Sequence, residues 1–350
     1  MNAPSNGLPI LPISRVTKQE YIIADSQMNQ KRIHILFLGG AKRVSMARLF
    51  KRAASDLGYE AAIFSYELDQ CVPIACEATV IRGSRWSDPD VIEKLNEAVD
   101  CYAIDIIVPF VDGAVAVAAN YASAYPGKVF VPSGSAEIAE LMFDKVRAAE
   151  AFESAGLPIP TTYIPGTPCL KLIAKPRHGS ASKGIVEISS IEALDRIMLR
   201  ADEYLIQERI DHRRELTVDC YVSVSDGNPL AVSPRVRNVT VGGEVSDTET
   251  VNSPEAIELT KRVLSSLGLR GAVTVQLISD LDIHGRLLIM EINPRLGGGA
   301  VCSVIAGADI PRLIIAEALG MKPEEQTPKP GVRICRYMQE VTFIDGVLKS

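Results

Sequence analysis

Residues 287–299 read Leu-Leu-Ile-Met-Glu-Ile-Asn-Pro-Arg-Leu-Gly-Gly-Gly. Four apolar residues after a His-Gly turn predict a buried strand, Leu287 to Met290, which then delivers Glu291 and Asn293. Side chains two apart in a strand share a face. Two oxygen-bearing groups therefore project together from an apolar support, with Arg295 two residues further on. Side-chain oxygens beside a cation are what a magnesium–phosphate centre requires. Pro294 and the glycines 297–299 end the strand and open the backbone to close approach. A strand running into an ordinary polar turn would read the same in isolation, so the rest of the chain decides.

The strand's expected hairpin partner is Gly271 to Ser279, which carries Gln276. Facing side chains of antiparallel neighbours lie within about 5.5 Å, so Gln276, Glu291 and Asn293 can converge. Three oxygen ligands with little charge suit a Mg²⁺ that keeps water and borrows phosphate oxygens. A buried structural polar cluster is the alternative. Upstream, Lys175 closes an apolar strand from Leu172, ahead of the polar loop Arg177-His-Gly-Ser-Ala-Ser-Lys-Gly184. The small residues Ser180, Ser182 and Gly184 let backbone N–H groups fold over phosphate oxygens, and Lys175 adds a point charge. A surface hairpin has the same composition, and no GxxxxGK[ST] is present. Tyr204 to Glu208 is an apolar strand ending at a carboxylate that could meet an adenine amine, and Glu215 could take ribose hydroxyls. An edge glutamate and a surface charge are the plainer readings of these two.

Outward from these segments, strands and helices alternate between 31 and 134. Strands are expected at Ile33–Leu38, Ala61–Tyr66, Ala78–Ile81, Ile104–Phe110 and Lys128–Val131. Helices are expected between them, over 44–57, from Asp88 with Pro89 in its first turn, and over 113–124. This alternation predicts a doubly wound parallel sheet whose ligand side is the carboxyl end of the strands. Gly39-Gly40, Arg43, Asp69 and Asp112 fall there, yet Gly-Gly-Ala-Lys-Arg is not GxGxxG, so no dinucleotide is expected. Residues 135–156 read as helical with a break near Asp144. Pro229 to Val232 should pair with the strand from Glu215 through a Ser-Asp-Gly-Asn turn. Asn252 to Gly268 reads as a helix capped by Ser253. Residues 1–30 read as an extended arm. Arg333 and Arg336 could meet a substrate carboxylate or form surface ion pairs.

The composition is that of a globular protein: 47% apolar and 23% charged residues over 350. A net charge of −6 with one tryptophan argues against a nucleic-acid partner. The seven cysteines lack CxxC spacing, which points to reduced thiols and the cytoplasm. No apolar run is long enough for a membrane span, and no signal peptide is expected.

The order of these features resembles the ATP-grasp superfamily over residues 140–310. It is most similar to stand-alone relatives of the synthetase halves of the carbamoyl-phosphate synthase large subunit. Glu291-Ile-Asn-Pro-Arg295 resembles that family's metal-binding strand, with Gln276 at the upstream ligand position. Asp144-Lys145 followed by Gly156-Leu-Pro-Ile-Pro160 resembles the start of its ATP-binding unit. The resemblance implies an N-terminal arm at 1–30, a Rossmann-like pre-ATP-grasp domain at 31–140, a small lobe with the phosphate loop at 141–210 and a large lobe with the metal site at 211–350. It implies ATP held by Lys145, Lys175, Ser180, Ser182, Gly184, Gln207, Glu208, Ile210 and Glu215. Gln276, Glu291 and Asn293 would bind Mg²⁺, expected as two ions with Mn²⁺ able to substitute. Arg295 and Lys175 would act on the transferring phosphoryl group, and the loop 178–184 would close against water. The activity implied is a carboxylate–amine ligase acting on a small acid and an amine through an acyl phosphate, with a homodimer as one assembly option. Carbamoyl-phosphate synthesis itself is not expected of a chain without the second synthetase half. A non-catalytic nucleotide-binding regulator and a phosphotransferase are the competing readings.

Overall fold

The computed structural model describes residues 31–167, 171–179 and 183–349. The expected N-terminal arm lies outside them. The described chain forms two compact units. The first runs to Ala136 and takes in Asp309–Glu324 and the segment from Tyr337; the second is Glu137–Ala308 with Glu325–Arg336.

The first unit opens with β1 (Arg32–Leu38), α1 (Val44–Asp56), β2 (Glu60–Glu67), β3 (Thr79–Arg82), α2 (Val91–Tyr102), β4 (Ile106–Pro109) and α3 (Asp112–Ala124). The sheet order is β3-β2-β1-β4, all parallel. The middles of its strands are mostly apolar because both faces are covered, and charged residues stand at their ends. Leu36, Leu38, Phe64 and Tyr66 share a core with Leu95 and Val99 of α2 and Val117 and Tyr121 of α3. Phe37 points the other way, onto Phe50 of α1 and Phe110, with ring centroids 5.3 and 4.6 Å away.

Two expectations here need correction. Lys128–Val131 is not a full fifth strand; Phe130 makes one parallel bridge to Ile106, and Pro132, which has no N–H, cannot extend the ladder. The helix expected from Asp88 begins at Val91, because Asp88 instead closes a turn by accepting from Arg85 N at 3.0 Å and Val91 N at 3.1 Å. The Gly39-Gly40 turn binds a carboxylate of its own chain. Burial raises the Glu67 carboxyl above its usual range, opposed by hydrogen bonds from Ser65 Oγ and from the backbone of Gly40 and Ala41. Asp69 accepts from Cys71 N at 2.9 Å, a turn role. Arg43 stacks 5.9 Å over the Phe110 ring.

The second unit holds α4 (Ala136–Phe143), α5 (Lys145–Ser154) and two antiparallel sheets. The small sheet is β5 (Leu172–Pro176), β6 (Val186–Ile188) and β7 (Tyr204–Glu208), in the order β6-β5-β7, with α6 (Ile191–Met198) beside it. The large sheet contains β8 (Arg213–Val222), β9 (Pro229–Val241), β10 (Glu244–Thr250), β11 (Gly271–Asp280), β12 (Leu287–Asn293) and β13 (Arg333–Cys335), in the order β12-β11-β8-β9-β10-β13. Between its strands come α7 (Pro254–Ser266) and α8 (Ala300–Ile305). The expected strand at Pro229–Val232 is the first third of a much longer one, and β10 was not foreseen. Gly242 and Gly243, at φ of 58° and 79°, make the two-residue turn between them. Such a turn requires positive φ at both positions, which glycine adopts without strain.

The large sheet has two unlike faces. Val218, Cys220, Val273, Val275 and Leu277 share a core with Leu259 and Val263 of α7 and Phe152 of α5. On the other face the register sets polar residues in rows. Asn293 faces Thr274, which faces Asp219; Glu291 faces Gln276, which faces Thr217, which faces Arg235. A bulge between Gln276 and Leu277 pairs Leu277 with Ile289, leaving Met290 as the extra residue. Ile289 and Ile292 therefore stay in the core while Met290 and Glu291 both turn to the polar side. The expected run of four buried residues is thus split, with Leu288 and Met290 packing on Ile210 and Ile278 instead.

In the first unit, Gly83 lies against the buried Tyr66, and a Cβ there would sit 2.1 Å from the ring. Gly83→Ala is expected to cost about 1–3 kcal/mol by overpacking, read as a lower thermal midpoint by circular dichroism. An unchanged midpoint would show that Tyr66 can move aside.

Candidate functional site

A cleft of about 400 Å³ lies between the small sheet and the polar face of the large one. Ile173, Ile185, Ile210, Ile278 and Met290 supply its apolar wall. Lys145, Lys175, Lys183, Arg209, Arg213 and Arg237 face Glu208, Glu215 and Glu291 across it, a surplus of three positive charges. An apolar slot continuous with a net positive pocket suits a ligand with a flat apolar end and a polyanionic tail.

Of the residues singled out from sequence, Lys145, Lys175, Glu208, Ile210, Glu215, Gln276 and Glu291 all line this cleft. They come from α5, the small sheet, the β7–β8 connection and the large sheet. Gln207, Gly184, Asn293 and Arg295 are not among the lining residues. Gln207 is 2% exposed and its amide is committed: Nε2 donates to Pro160 O at 3.0 Å, and Oε1 accepts from Lys175 Nζ at 3.1 Å. It orients the lysine. Gly184 holds φ at 75°, with Pro176 Cγ 3.0 Å from where a Cβ would stand. Ser180 and Ser182 lie outside the described residues.

Lys175 is 7% exposed. Burial pushes its ammonium down to about 8; Glu291 pulls it back up, while Lys145 and Arg213 push it further down. Lys145 stands at the first position of α5 and donates through Nζ to Gly179 O at 2.6 Å. Asp144 caps this helix, accepting from Val146 N and Arg147 N, and also takes the Arg177 guanidinium at 2.9 Å on both oxygens. The helix break read near Asp144 is therefore the point that ties α5 to the loop after β5. Glu208 accepts at Oε1 from Thr161 N at 2.7 Å, from Thr161 Oγ1 at 2.9 Å and from Arg286. Burial works to raise the Glu208 carboxyl, but these donors outweigh it and hold it below the usual range. Glu215 accepts from Arg213 Nε at 3.1 Å and lies 3.6 Å from Arg237 Nη1.

The three side chains expected to hold a metal lie in hydrogen-bond contact with one another. Glu291 Oε1 accepts from Gln276 Nε2 at 2.5 Å and from Asn293 Nδ2 at 3.1 Å. Asn293 Oδ1 in turn accepts from Arg295 Nη2 at 3.4 Å. Glu291 is the one carboxylate of the three, and among the described residues no group of three or more His, Cys, Asp or Glu is placed to hold a metal. One carboxylate and two amides do not displace the water shell of a hard divalent cation by themselves. They fit a cation that arrives already bound to phosphate oxygens.

Three neighbours of the cleft escaped the sequence reading. Arg237 reaches the cleft from β9, donating to Gln276 Oε1 at 2.7 Å and to Gly243 O at 3.1 Å. Its signal was available: Gly242-Gly243 between two β-prone runs marks a hairpin. Asp219 and Arg235 form a pair, 0% and 3% exposed at the side chain, with Nε 2.7 Å from Oδ2. Asp219 also accepts from Ser303 Oγ at 2.7 Å. In the same row, Thr274 Oγ1 donates to Arg295 O at 2.9 Å and accepts from Gly297 N at 3.0 Å, pinning the turn that carries Arg295. Two charges inside otherwise apolar strand runs were the sequence signal. Arg333 and Arg336 are both in ion pairs, to Asp247 at 2.6 Å and Glu244 at 2.9 Å, which answers their alternative readings in favour of salt bridges.

Residues 142–299 match the family model of the ATP-grasp domain. No curated protein matches the chain in sequence. Among solved structures, biotin carboxylase from Campylobacter jejuni in a β,γ-ATP complex is similar at TM-score 0.66 and 18% identity, over 86% of this chain and 74% of that one. The biotin carboxylase domain dimer of 2-oxoglutarate carboxylase from Hydrogenobacter thermophilus, with MgADP, ADP and bicarbonate, gives 0.65 and 17% over 83% and 71%. L-amino acid ligase from Bacillus licheniformis gives 0.63 and 15% over 85% and 76%. At these identities the likeness establishes the fold.

Asp219→Ala leaves a buried guanidinium without its counter-charge and is expected to cost about 3–5 kcal/mol. Urea denaturation would show this as a lower midpoint, and a shift of less than about 1 kcal/mol would mean that water or Thr248 replaces the carboxylate.

Proposed function

Residues 142–299 being an ATP-grasp domain, we propose that this chain is an enzyme, an ADP-forming carboxylate–amine ligase that works through an acyl phosphate. The observation that carries the reading is the convergence of Lys145, Lys175, Glu208, Ile210, Glu215, Gln276 and Glu291 on one cleft from segments far apart in sequence. Likeness to structures solved with β,γ-ATP and with MgADP supports the choice of nucleotide and cation.

In this reading the adenine enters the apolar slot beside Ile210, Ile278 and Met290, with Glu208 and its strand neighbours along its edge. Glu215 takes the ribose. Lys145, Lys175 and the 178–184 loop meet the phosphates. Gln276, Glu291 and Asn293 would hold Mg²⁺, with two ions expected and Mn²⁺ able to substitute; when bound, the cation neutralises charge on the phosphate oxygens. The acid substrate's carboxylate oxygen attacks the γ-phosphorus while the bond to the bridging oxygen breaks, releasing ADP. The amine nitrogen then attacks the acyl carbon, and phosphate leaves with the C–O electron pair. Arg295 and Arg237 neutralise the charge that develops on the transferring group. The Glu291-Ile-Asn-Pro-Arg295 run with Gln276 supports placement near the stand-alone carbamoyl-phosphate-synthase-like enzymes.

A homodimer is the proposed assembly, by likeness to the Hydrogenobacter domain dimer. The cytoplasm is the proposed location. Every described cysteine is free, and no described helix is long and apolar enough to cross a membrane.

Three measurements test this reading. In a screen of paired acids and amines, ADP and phosphate should be released only when both substrates are present. A phosphorylated acid accumulating without amine would make the chain a phosphotransferase, and nucleotide binding without turnover across the panel would make it a regulator. Glu291→Ala should reduce Mg²⁺-dependent turnover by at least about a hundredfold with an unchanged circular dichroism spectrum; wild-type turnover would remove Glu291 from the site. Lys175 gives a pH signature. Its pKa of about 8 in the protein alone must rise when a phosphate lies beside it. ATP binding near pH 8 should therefore take up to ~0.5 proton. Affinity should be greatest below pH 8 and fall as pH rises through it towards the pKa of the complex. Calorimetry in buffers of different ionisation enthalpy measures the uptake, and Lys175→Met should abolish it. Equal uptake in that variant would assign the proton elsewhere.

A further inference from the structure

The triad around Glu291 is closed by hydrogen bonds whose direction is fixed from outside it. A guanidinium can only donate. Arg237 Nη1 lies 2.7 Å from Gln276, so Gln276 must present its oxygen to Arg237 and its NH₂ to Glu291, as found. Arg295 imposes the same sense on Asn293 more weakly, at 3.4 Å, and Asn293 gives its NH₂ to Glu291. In this arrangement both amides aim N–H groups at the carboxylate and turn their oxygens away to an arginine. A cation held by all three needs the opposite: amide oxygens turned in, and Glu291 Oε1, which takes both donors, relieved of them. An inverted Gln276 would put its NH₂ against Arg237, donor to donor.

From this geometry we propose that Arg237 is an internal stand-in for the divalent cation, which keeps the Gln276–Glu291–Asn293 set closed to a bare metal ion until a phosphate draws the guanidinium off. Arg237 is built for that exchange. It sits on a cleft-lining strand and touches Gly243 O at the tip of the β9–β10 hairpin. It lies 3.6 Å from Glu215. A phosphate in the cleft offers it more charge than Gln276 does, and its departure leaves the amide free to invert. Cation and nucleotide then enter as one unit, with Arg237 moving from Gln276 to a phosphate oxygen. The proposal rests on the ATP-site reading for the identity of the phosphate, but its first test does not.

That test is Mn²⁺ binding followed by electron paramagnetic resonance with no nucleotide present. Wild-type protein should hold Mn²⁺ alone only weakly. Arg237→Met, which removes a like charge from beside the ligands, should bind it about tenfold tighter or better, and Arg237→Met with Glu291→Gln should lose the gain. Arg237→Gln retains a donor for Gly243 O and should behave as the methionine variant does, which guards against a misfolded first variant. Mn²⁺ binding to wild type as tight as to both variants would overturn the stand-in. The second arm adds ADP. Wild type should then bind Mn²⁺ strongly, while the Arg237 variants should lose most of the coupling between metal and nucleotide. Retention of full coupling would overturn the transfer of Arg237 to phosphate. Failure of every form to bind ADP would fall on the ATP-site reading, and the bare-metal result would still decide whether Arg237 guards the triad.

Discussion

Alternation across the large sheet is the constraint on which the rest of the second unit depends. A strand offers two faces with a period of two, so a single slip would send every core residue to the cleft and every cleft side chain to the core. β8, β9, β11 and β12 hold one register in which Val218, Val273 and Val275 meet helices while Asp219, Thr274, Gln276 and Arg235 face away. Beside an irregularity between β8 and β9 at Tyr221–Val222, the departure at the cleft is the bulge at Met290. It adds a residue on the side where the cleft needs both an apolar contact and a carboxylate, and it leaves the core pairing of Ile289 and Ile292 intact. Bulges commonly re-aim side chains next to functional sites.

The polar face is arranged so that charge is balanced locally while the cleft stays positive. Asp219 and Arg235 satisfy each other where water is absent, Asp144 and Arg177 do so at the rim, and Glu208 meets Arg286 at the end of β7. These pairs fix geometry, since a buried pair contributes little net stability. The lysines left facing the cleft would repel one another strongly if all were fully charged. Burial of Lys175 eases this by bringing its neutral form within reach.

Much of this was legible in the sequence because the telling residues sit at strand ends. Glu291, Asn293 and Gln276 could be placed on one face from period-two counting alone, and Lys175 and Glu208 from where apolar runs stop. The parallel sheet of the first unit followed from alternation, and the ATP-grasp resemblance joined the pieces in order. What escaped was set by pairing across long distances. Residues 236–250 are polar on most positions, so apart from the Gly242-Gly243 turn and its flanking β-branched residues little marked β9 and β10 as strands; pairing with β8 and β13 secures them. Arg237 was hidden with them. Gln207 reads as a ligand contact at the end of a strand, yet the fold buries it and gives its amide to Lys175 and Pro160. The split of 287–290 between two faces depends on the bulge, which no single-strand pattern reveals.

The glycine run that ends the opening stretch was read as opening the backbone to close approach. At Gly299 the room is taken by the protein itself: a Cβ there would lie 2.6 Å from both Arg235 Nη1 and Val245 Cγ1. The buried guanidinium and the bare backbone above it are thus halves of one solution. A shorter residue at 235 would remove only one of the two clashes at 299, since Val245 Cγ1 stands as close, and it would leave Asp219 without its counter-charge. Drift at these two positions, 64 residues apart in numbering, has to be epistatic. A homologous chain carrying a side chain at the third glycine is expected to have changed both the arginine and the valine at 245.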